Sequence, residues 1–386
     1  MSNEPPRPAT YRLRLPGPSP VPERVRQAIA EPVVNHRGPE FHATLREAVT
    51  LARPLFGTSG DVLVFAASGT GVMEAAIANI VAPGERVLVA MNGQFGERFK
   101  AIAEAFGAEV DRLDCEWGTA PDAQEIARRL RGARYRAVFV IHNESSTGAV
   151  ADLAAIGAAV KDSEALLVVD SVSGLGGIEL QQDKWHLDIV VTASQKALMC
   201  PPGLGLASVS AKAWEVVNRA QGGARFFWDF RKAKAALEKE ETAFTAPVSL
   251  VAGLRVALEM IHREGLPAVF ERHRRLSAAL RAGSEALGLP VFTRAPILSP
   301  TVSVLAMPET LEGGTLVRHL YQHYNTVIAG ARNRLQGKVI RIGTMGHVDA
   351  SDILADLHYL ERSLVDLGRP VRTGAGVAAA AAVLGG

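Results

Sequence analysis

The feature that most constrains this chain is the stretch Leu166–Gly205, LLVVDSVSGLGGIELQQDKWHLDIVVTASQKALMCPPGLG. It holds two short apolar strands, and each delivers one ionisable group at its carboxyl end. Leu166–Val169 runs into Asp170, and Asp188–Thr192 runs into Ala193, Ser194, Gln195 and Lys196. In parallel α/β sheets, ligands sit just beyond the carboxyl ends of the strands. A carboxylate and an amine placed there, with Pro201-Pro202-Gly203 turning the chain behind the amine, meet the needs of a pyridoxal phosphate site. The amine can bond to the cofactor aldehyde, and the carboxylate can keep the pyridine nitrogen protonated so that the ring draws electrons.

The stretch resembles the signature of the class V aminotransferases, the group that contains alanine–glyoxylate and serine–glyoxylate (serine–pyruvate) aminotransferases. That family carries D-S-V-x-x-L-G-G followed by S-Q-K-A-L-x-x-P-P-G. Here the two segments read Asp170-Ser171-Val172-Ser173-Gly174-Leu175-Gly176-Gly177 and Ser194-Gln195-Lys196-Ala197-Leu198-Met199-Cys200-Pro201-Pro202-Gly203. Taken singly, such an aspartate can be a buried cap and such a lysine a solvated charge. Two motifs of this length at the family's spacing outweigh both alternatives. The resemblance implies an aspartate-aminotransferase-like α/β fold (pyridoxal phosphate fold type I): a large domain with a mostly parallel seven-stranded sheet, then a small C-terminal α/β domain. Lys196 and Asp170 become the catalytic pair, and Gln195 beside the lysine a cofactor contact.

Other segments extend the match. Pro16-Gly17-Pro18-Ser19-Pro20 is a stiff lead-in which, by the resemblance, lines the substrate end of the site with a backbone group such as that of Gly17. Read from the residues alone, it is equally a proline-rich connection. Asn35-His36-Arg37-Gly38-Pro39-Glu40-Phe41 matches H-R-x-P-E-F. Its His36 and Arg37 either touch substrate or, the favoured reading, anchor the loop at a dimer contact. The strand Asp61–Phe65 meets Ala66-Ala67-Ser68-Gly69-Thr70-Gly71 and then a helix with Met73, Ala76, Ile77 and Ile80 on one face. Small residues at such a turn let backbone N–H groups approach a phosphate. Glu74 stands where a dinucleotide fingerprint needs its third glycine. As the phosphate cup of the family, Ser68, Gly69, Thr70 and Gly71 fit.

Arg86–Ala90 is a further strand, ending in Asn92-Gly93-Gln94-Phe95-Gly96. The resemblance implies that Phe95 lies flat on the cofactor ring, where an aromatic face suits a planar partner. Arg136–Ile141 ends in His142-Asn143-Glu144-Ser145-Ser146-Thr147-Gly148, matching H-x-E-[ST]-S-T-G. By that match Ser145 bonds near the ring hydroxyl and Glu144 helps to hold the loop, while His142 reads as structural rather than as the base. Thr245 before Pro247, with Thr242 a weaker second, implies a contact to the cofactor phosphate of a neighbouring subunit, hence a homodimer with shared active sites. A proline-terminated loop with ordinary threonines is the alternative. Gly222–Phe230, GGARFFWDF, lines the substrate mouth or packs at the subunit contact, and the residues leave both open. Late in the chain, Val339-Ile340-Arg341-Ile342-Gly343-Thr344-Met345-Gly346 matches R-[IL]-G-x-M-G. An arginine leaving an apolar strand is costly unless paired, and a substrate carboxylate is a bidentate partner for it. Arg341 is the candidate clamp.

Helices are expected over Glu23–Ala30, Phe99–Phe106, Lys232–Lys239, Leu250–Arg263, Phe270–Leu287 and Ser351–Leu367. Strands over Thr301–Leu305, Thr326–Ala329 and Lys338–Ile342 should form a small antiparallel sheet. The expected division is an N-terminal arm (1–20, mobile over its first twelve residues), a large cofactor domain (21–250), a small domain with its bridging helix (251–368) and a disordered Ala/Gly-rich tail (369–386).

With 386 residues, two domains are a natural division. A net charge of +2 gives no electrostatic footprint for nucleic acid or acidic membranes. Cys115 and Cys200 are too few and too distant for a disulfide framework or a cysteine-rich metal site, so no metal is expected and a reducing compartment fits. The start has no apolar signal core, and Val377–Leu384 is too short to span a bilayer, which leaves a cytoplasmic location as the expectation. The expected reaction is a ping-pong amino transfer from alanine or serine to glyoxylate or pyruvate. Arg332 and Arg334 leave aspartate open as donor. A lyase or cysteine desulfurase on the same scaffold is the enzymatic rival, although Ala329–Lys338 lacks the late cysteine a desulfurase needs. A subunit that kept the fold and lost the chemistry would lack Lys196 or Asp170, and both are present.

Overall fold

The computed structural model describes residues 11–219 and 225–385. Its centre is a seven-stranded sheet in the order Asp61–Ala67, Gly203–Val209, Ile189–Ala193, Leu166–Asp170, Ala137–Ile141, Arg86–Met91, Glu109–Asp114. Gly203–Val209 runs antiparallel to both its neighbours, and the other pairings are parallel. The three central strands are buried along their whole length, which is why they read as unbroken apolar runs instead of alternating patterns. Alternate side chains enter two cores. Val138, Val140, Leu167 and Val169 pack with the helices Pro39–Phe56 and Val248–Glu264 on one face. Phe139, Ile141, Leu166 and Val168 pack with Met73, Ile77 and Phe99 on the other. Each such side chain contributes about 1.5–3 kcal/mol by leaving water.

The helix Pro39–Phe56 is not among the expected elements, and it runs through Pro54 and lacks a side-chain N-cap, but its other signals are present. It has proline in its first turn, an apolar stripe at Phe41, Leu45, Ala48, Val49, Ala52, Leu55 and Phe56, and a left-handed Gly57 as stop. The expected bridging helix runs over Val248–Glu264, and its apolar face joins the large-domain core. Gly253 lets it approach closely, since a Cβ there would lie 2.6 Å from Ile29 Cγ1.

The small domain has the sheet order Val302–Ala306, Val339–Gly343, Ala329–Gly330, all antiparallel. The expected strand Thr326–Ala329 is therefore split. Thr326–Val327 turns away and pairs in parallel with Arg12–Leu13. The arm is corrected by the same pairing: residues 1–10 lie outside the described residues, but from Arg12 the chain is strand, and Arg14 is buried. The tail is a second correction. Ala375–Leu384 is a helix, not a disordered segment. Gly376 makes this possible by close packing on Leu287 and the Gly283 carbonyl, while Gly374 N donates to both oxygens of Glu361 at 2.9 Å.

Candidate active site

Two neighbouring parallel strands carry the central pair, as the sequence places it. Asp170 closes Leu166–Asp170, and Lys196 follows Ile189–Ala193 by three residues. Asp170 is buried, and its Oδ1 accepts from Val172 N at 2.7 Å. Burial pushes its carboxyl up to about 6, and the negative charge of Glu144 acts in the same direction. The Val172 N–H, Lys196 and Arg98 pull it back. Burial pushes the Lys196 amine down to about 8, aided by the cations Arg341 and Arg98 and opposed by Asp170. A lysine whose neutral form is accessible near pH 8 can act as nucleophile or proton carrier. Its Nζ donates to the Pro16 carbonyl.

Gly17 stands against that side chain. A Cβ there would lie 2.5 Å from Lys196 Cε and Nζ, and φ is +105°, a region that favours glycine. Ser19 completes the seam, with its N donating to Gln195 O at 2.9 Å and its Oγ to Lys196 O at 2.6 Å.

Ser68 caps the helix Gly69–Ile80, its Oγ accepting from Gly71 N at 3.5 Å. Both glycines are needed for packing: Cβ atoms would lie 2.9 Å from Val172 Cγ2 at Gly69 and 2.9 Å from Trp228 Cη2 at Gly71. Thr70 Oγ1 accepts from Arg98 Nη1 at 3.0 Å, and the Arg98 guanidinium lies 4.6 Å from the Phe95 ring centroid. Arg98 thus links the cup to the aromatic. It escapes sequence reasoning because a lone arginine on a helix normally reads as a solvated charge.

Glu144, fully buried, reaches across to start the helix Gln94–Ala105. Its Oε2 accepts from Phe95 N at 2.9 Å and Gly96 N at 3.2 Å, and its Oε1 from Ser146 N at 3.1 Å and Ser146 Oγ at 2.5 Å. A carboxylate suits these positive helix-end amides. Burial nevertheless raises its pKa. Ser145 is buried next to it, and its carbonyl accepts from Arg341 Nη1 at 3.3 Å. Arg341 Nε and Nη2 donate to Gly330 O at 3.0 and 2.8 Å. Burial lowers the Arg341 pKa, and the nearby charge of Glu144 opposes this. His142 Nδ1 meets Ser171 Oγ at 2.8 Å, and burial holds it neutral with a pKa of about 4.

Several sequence candidates lie elsewhere in this chain. Thr245 is exposed and, with Thr242, Phe227 and Phe244, lines a separate cavity. Thr242 Oγ1 donates to Phe244 O at 2.6 Å. Arg37 pairs with Glu241. Of GGARFFWDF, residues 222–224 lie outside the described residues. Trp228 packs at the cup and Phe227 stacks on Phe244 at 5.1 Å.

Pyridoxal phosphate fits these residues on observations independent of the motif. A buried acid and a part-buried amine follow from adjacent parallel strands, a capped helix start offers its N–H groups, and Gln195 Oε1 is buried with no hydrogen-bond partner among the described residues. The chain belongs to the aminotransferase class-V family, whose profile it matches over residues 16–333. It is a pyridoxal-phosphate-dependent transaminase of fold type I.

Three similar proteins bracket it. It is 40% identical to the soluble hydrogenase small subunit of Synechococcus sp. (strain PCC 6716), covering 96% of this chain and 98% of that one. It is 36% identical to the L-aspartate–glyoxylate aminotransferase of Paracoccus denitrificans, covering 95% and 94%. Ureidoglycine–glyoxylate aminotransferase of Bacillus subtilis superposes with a TM-score of 0.93 at 30% identity, covering 98% of this chain and 99% of that one.

Proposed function

We propose that the enzyme moves the amino group of a small amino acid, alanine or serine, to glyoxylate, with Lys196 as the catalytic amine and Asp170 as its acidic partner. The observation that carries the reading is the part-buried guanidinium of Arg341, which the strand Val339–Gly343 brings against the Ser145 loop with its bonds made to neutral carbonyls. Arg341 is held in place by two carbonyls, from Gly330 and Ser145. A small amino acid presents one carboxylate, and one clamp answers it. Glyoxylate is the acceptor in the names of both similar aminotransferases, while the donors differ. The proposal follows the site rather than the name of the hydrogenase subunit.

Bound pyridoxal phosphate supplies an electron sink for the bond that breaks at the substrate α-carbon. The chain's own residues do the rest. Asp170, with Oδ1 engaged by Val172 N, has its other oxygen for the ring nitrogen. Ser68, Gly69, Thr70 and Gly71, at the start of the helix Gly69–Ile80, would hold the phosphate, and Phe95, Gln195 and Ser145 would contact the ring. Arg341 fixes the substrate carboxylate, and Lys196 carries the proton. Thr245, supported by Thr242, serves a neighbouring subunit's phosphate in a homodimer, which its exposure permits. A cytoplasmic location belongs to the same reading; among the described residues no helix is long and apolar enough to cross a membrane.

A second reading rests on Arg332. It is exposed beside the clamp and its charge is felt by Arg341, whereas Arg334 is turned toward Glu97 at 3.6 Å and Trp117. A second free cation favours aspartate as donor. The test is the visible spectrum of the purified holoenzyme on adding alanine, serine, then aspartate. The proposal expects the cofactor band to bleach fastest with alanine or serine and to return with glyoxylate. Faster bleaching with aspartate would replace the donor assignment. No bleaching by any of the three, or no recovery with glyoxylate, would overturn the amino-transfer reading.

A further inference from the structure

The lysine's hydrogen-bond acceptor belongs to a segment that the small domain holds. From Arg12 to Ser19 the chain forms a strap. Arg12–Leu13 pairs with Thr326–Val327, and the Arg14 carbonyl accepts from Gly343 N at 2.8 Å, two residues beyond the clamp Arg341. Only glycine at 343 lets the strap come this close, since a Cβ there would lie 2.8 Å from the Leu15 carbonyl carbon. The strap then delivers Pro16 O and Gly17 to Lys196.

What anchors it is a four-charge cluster, Arg12 and Arg14 of the strap with Asp352 and Asp356 of the helix Ala350–Asp366. Arg14 Nε donates to Asp356 Oδ2 at 2.7 Å, Arg12 Nη2 meets Asp356 Oδ1 at 3.0 Å, and both arginines also pair with Asp352. The side chains of Arg14 and Asp356 are only 4% and 2% exposed. Ion pairs so deeply buried contribute little net stability, because desolvation offsets their attraction. Placing the strap is a use that stability does not supply.

We infer that Arg14 and Asp356 are positioning residues for Lys196: their ion pair holds Leu15–Gly17 so that the Pro16 carbonyl receives the lysine amine whenever the cofactor does not engage it. The inference rests on Lys196 being the catalytic amine. Burial is the strongest influence on the amine and favours its neutral form, Arg341 and Arg98 act the same way, and Asp170 opposes them; the strap both covers the amine, through Gly17, and offers it the Pro16 carbonyl. Loosening the strap removes the acceptor and admits water together, so both the titration and the reactivity of the amine change.

The experiment follows acylation of Lys196 in cofactor-free full-length protein across pH, quantified by peptide mass spectrometry, with exposed lysines as internal standards. Asp356→Asn should shift the midpoint from that of wild type by about half a pH unit or more and change labelling at pH 7 more than twofold, and kcat of the reloaded enzyme should fall about tenfold. Asp352→Asn, at a partly exposed carboxylate, should do the same more weakly, and it decides the matter if Asp356→Asn does not fold. An unchanged midpoint and labelling within twofold of wild type in the folded variants would overturn the inference, whatever the change in melting temperature. Protection of wild-type Lys196 by pyridoxal phosphate tests the underlying assignment separately. Without that protection the assignment fails, and the inference with it, whereas protection with an unmoved midpoint refutes the positioning alone.

Discussion

Gly17→Ala tests the site at its tightest point. A Cβ at Gly17 would stand 2.5 Å from Lys196 Cε and Nζ, against about 3.5–4.0 Å for ordinary carbon contacts, so one partner must retreat by about 1 Å. The strap is pinned on both sides of the glycine, by Gly343 N on Arg14 O and by Ser19 on Gln195 and Lys196. The lysine therefore moves. At φ +105°, alanine adds strain on the order of 1–3 kcal/mol, a modest share of the stability of a protein this size. Misplacing a reacting group by 1 Å costs about a hundredfold in rate, equivalent to about 2.7 kcal/mol of transition-state energy. The variant should therefore fold, melt a few degrees lower, and lose about a hundredfold in kcat/KM. Steady-state transamination and a thermal melt by circular dichroism measure both quantities. Gly132→Ala, where a Cβ meets nothing within 4 Å, is the control and should match wild type. A Gly17→Ala enzyme within threefold of wild-type kcat/KM would refute the steric reasoning.

Glu144→Gln puts an NH2 where one carboxylate oxygen accepts from protein donors, so the start of the helix Gln94–Ala105 loosens; cofactor affinity, read by fluorescence titration, should weaken about tenfold or more, and an unchanged value removes Glu144 from the support of Phe95. His273 is fully buried, with Nδ1 at Val269 O and Nε2 accepting from Gly346 N at 3.0 Å, and burial holds its pKa to about 4. The unfolded chain, with an ordinary histidine near 6.5, binds the extra proton first, so this group's stabilisation is full above about pH 6.5 and is lost as pH falls toward 4, up to about 3 kcal/mol. Urea midpoints at pH 7 and 5 for wild type and His273→Gln should show the smaller acid loss in the variant, and equal losses contradict the assignment. Truncation after Arg372 removes the helix Ala375–Leu384 from its seat on Leu287 and Gly283, and should lower the melting temperature by several degrees; a disordered tail would give no change.

The parts of the site legible in the sequence are those whose chemistry and position coincide locally. Asp170 closes one short apolar strand and Lys196 follows another by three residues, and burial in a parallel sheet forces such runs to be apolar throughout, so the ionisable residue beyond each stands out. Arg341 was legible for the converse reason, a charge within the apolar strand Val339–Gly343. The parts that were not legible depend on approach between distant segments. Pro16 and Lys196 are 180 positions apart and Arg14 and Asp356 are 342 apart, so the resemblance could place Gly17 at the substrate end of the site but not against Lys196, and no local pattern marked Arg14 and Asp356 as partners. The tail failed for a related reason. Alanine and glycine carry little local preference for a packed state over a solvated one, and what orders Ala375–Leu384 is the absence of side chains at Gly283 and Gly376, where two helices meet. A glycine is silent in composition and becomes informative only when the atoms that exclude its Cβ are known, which at position 17 are those of the Lys196 side chain.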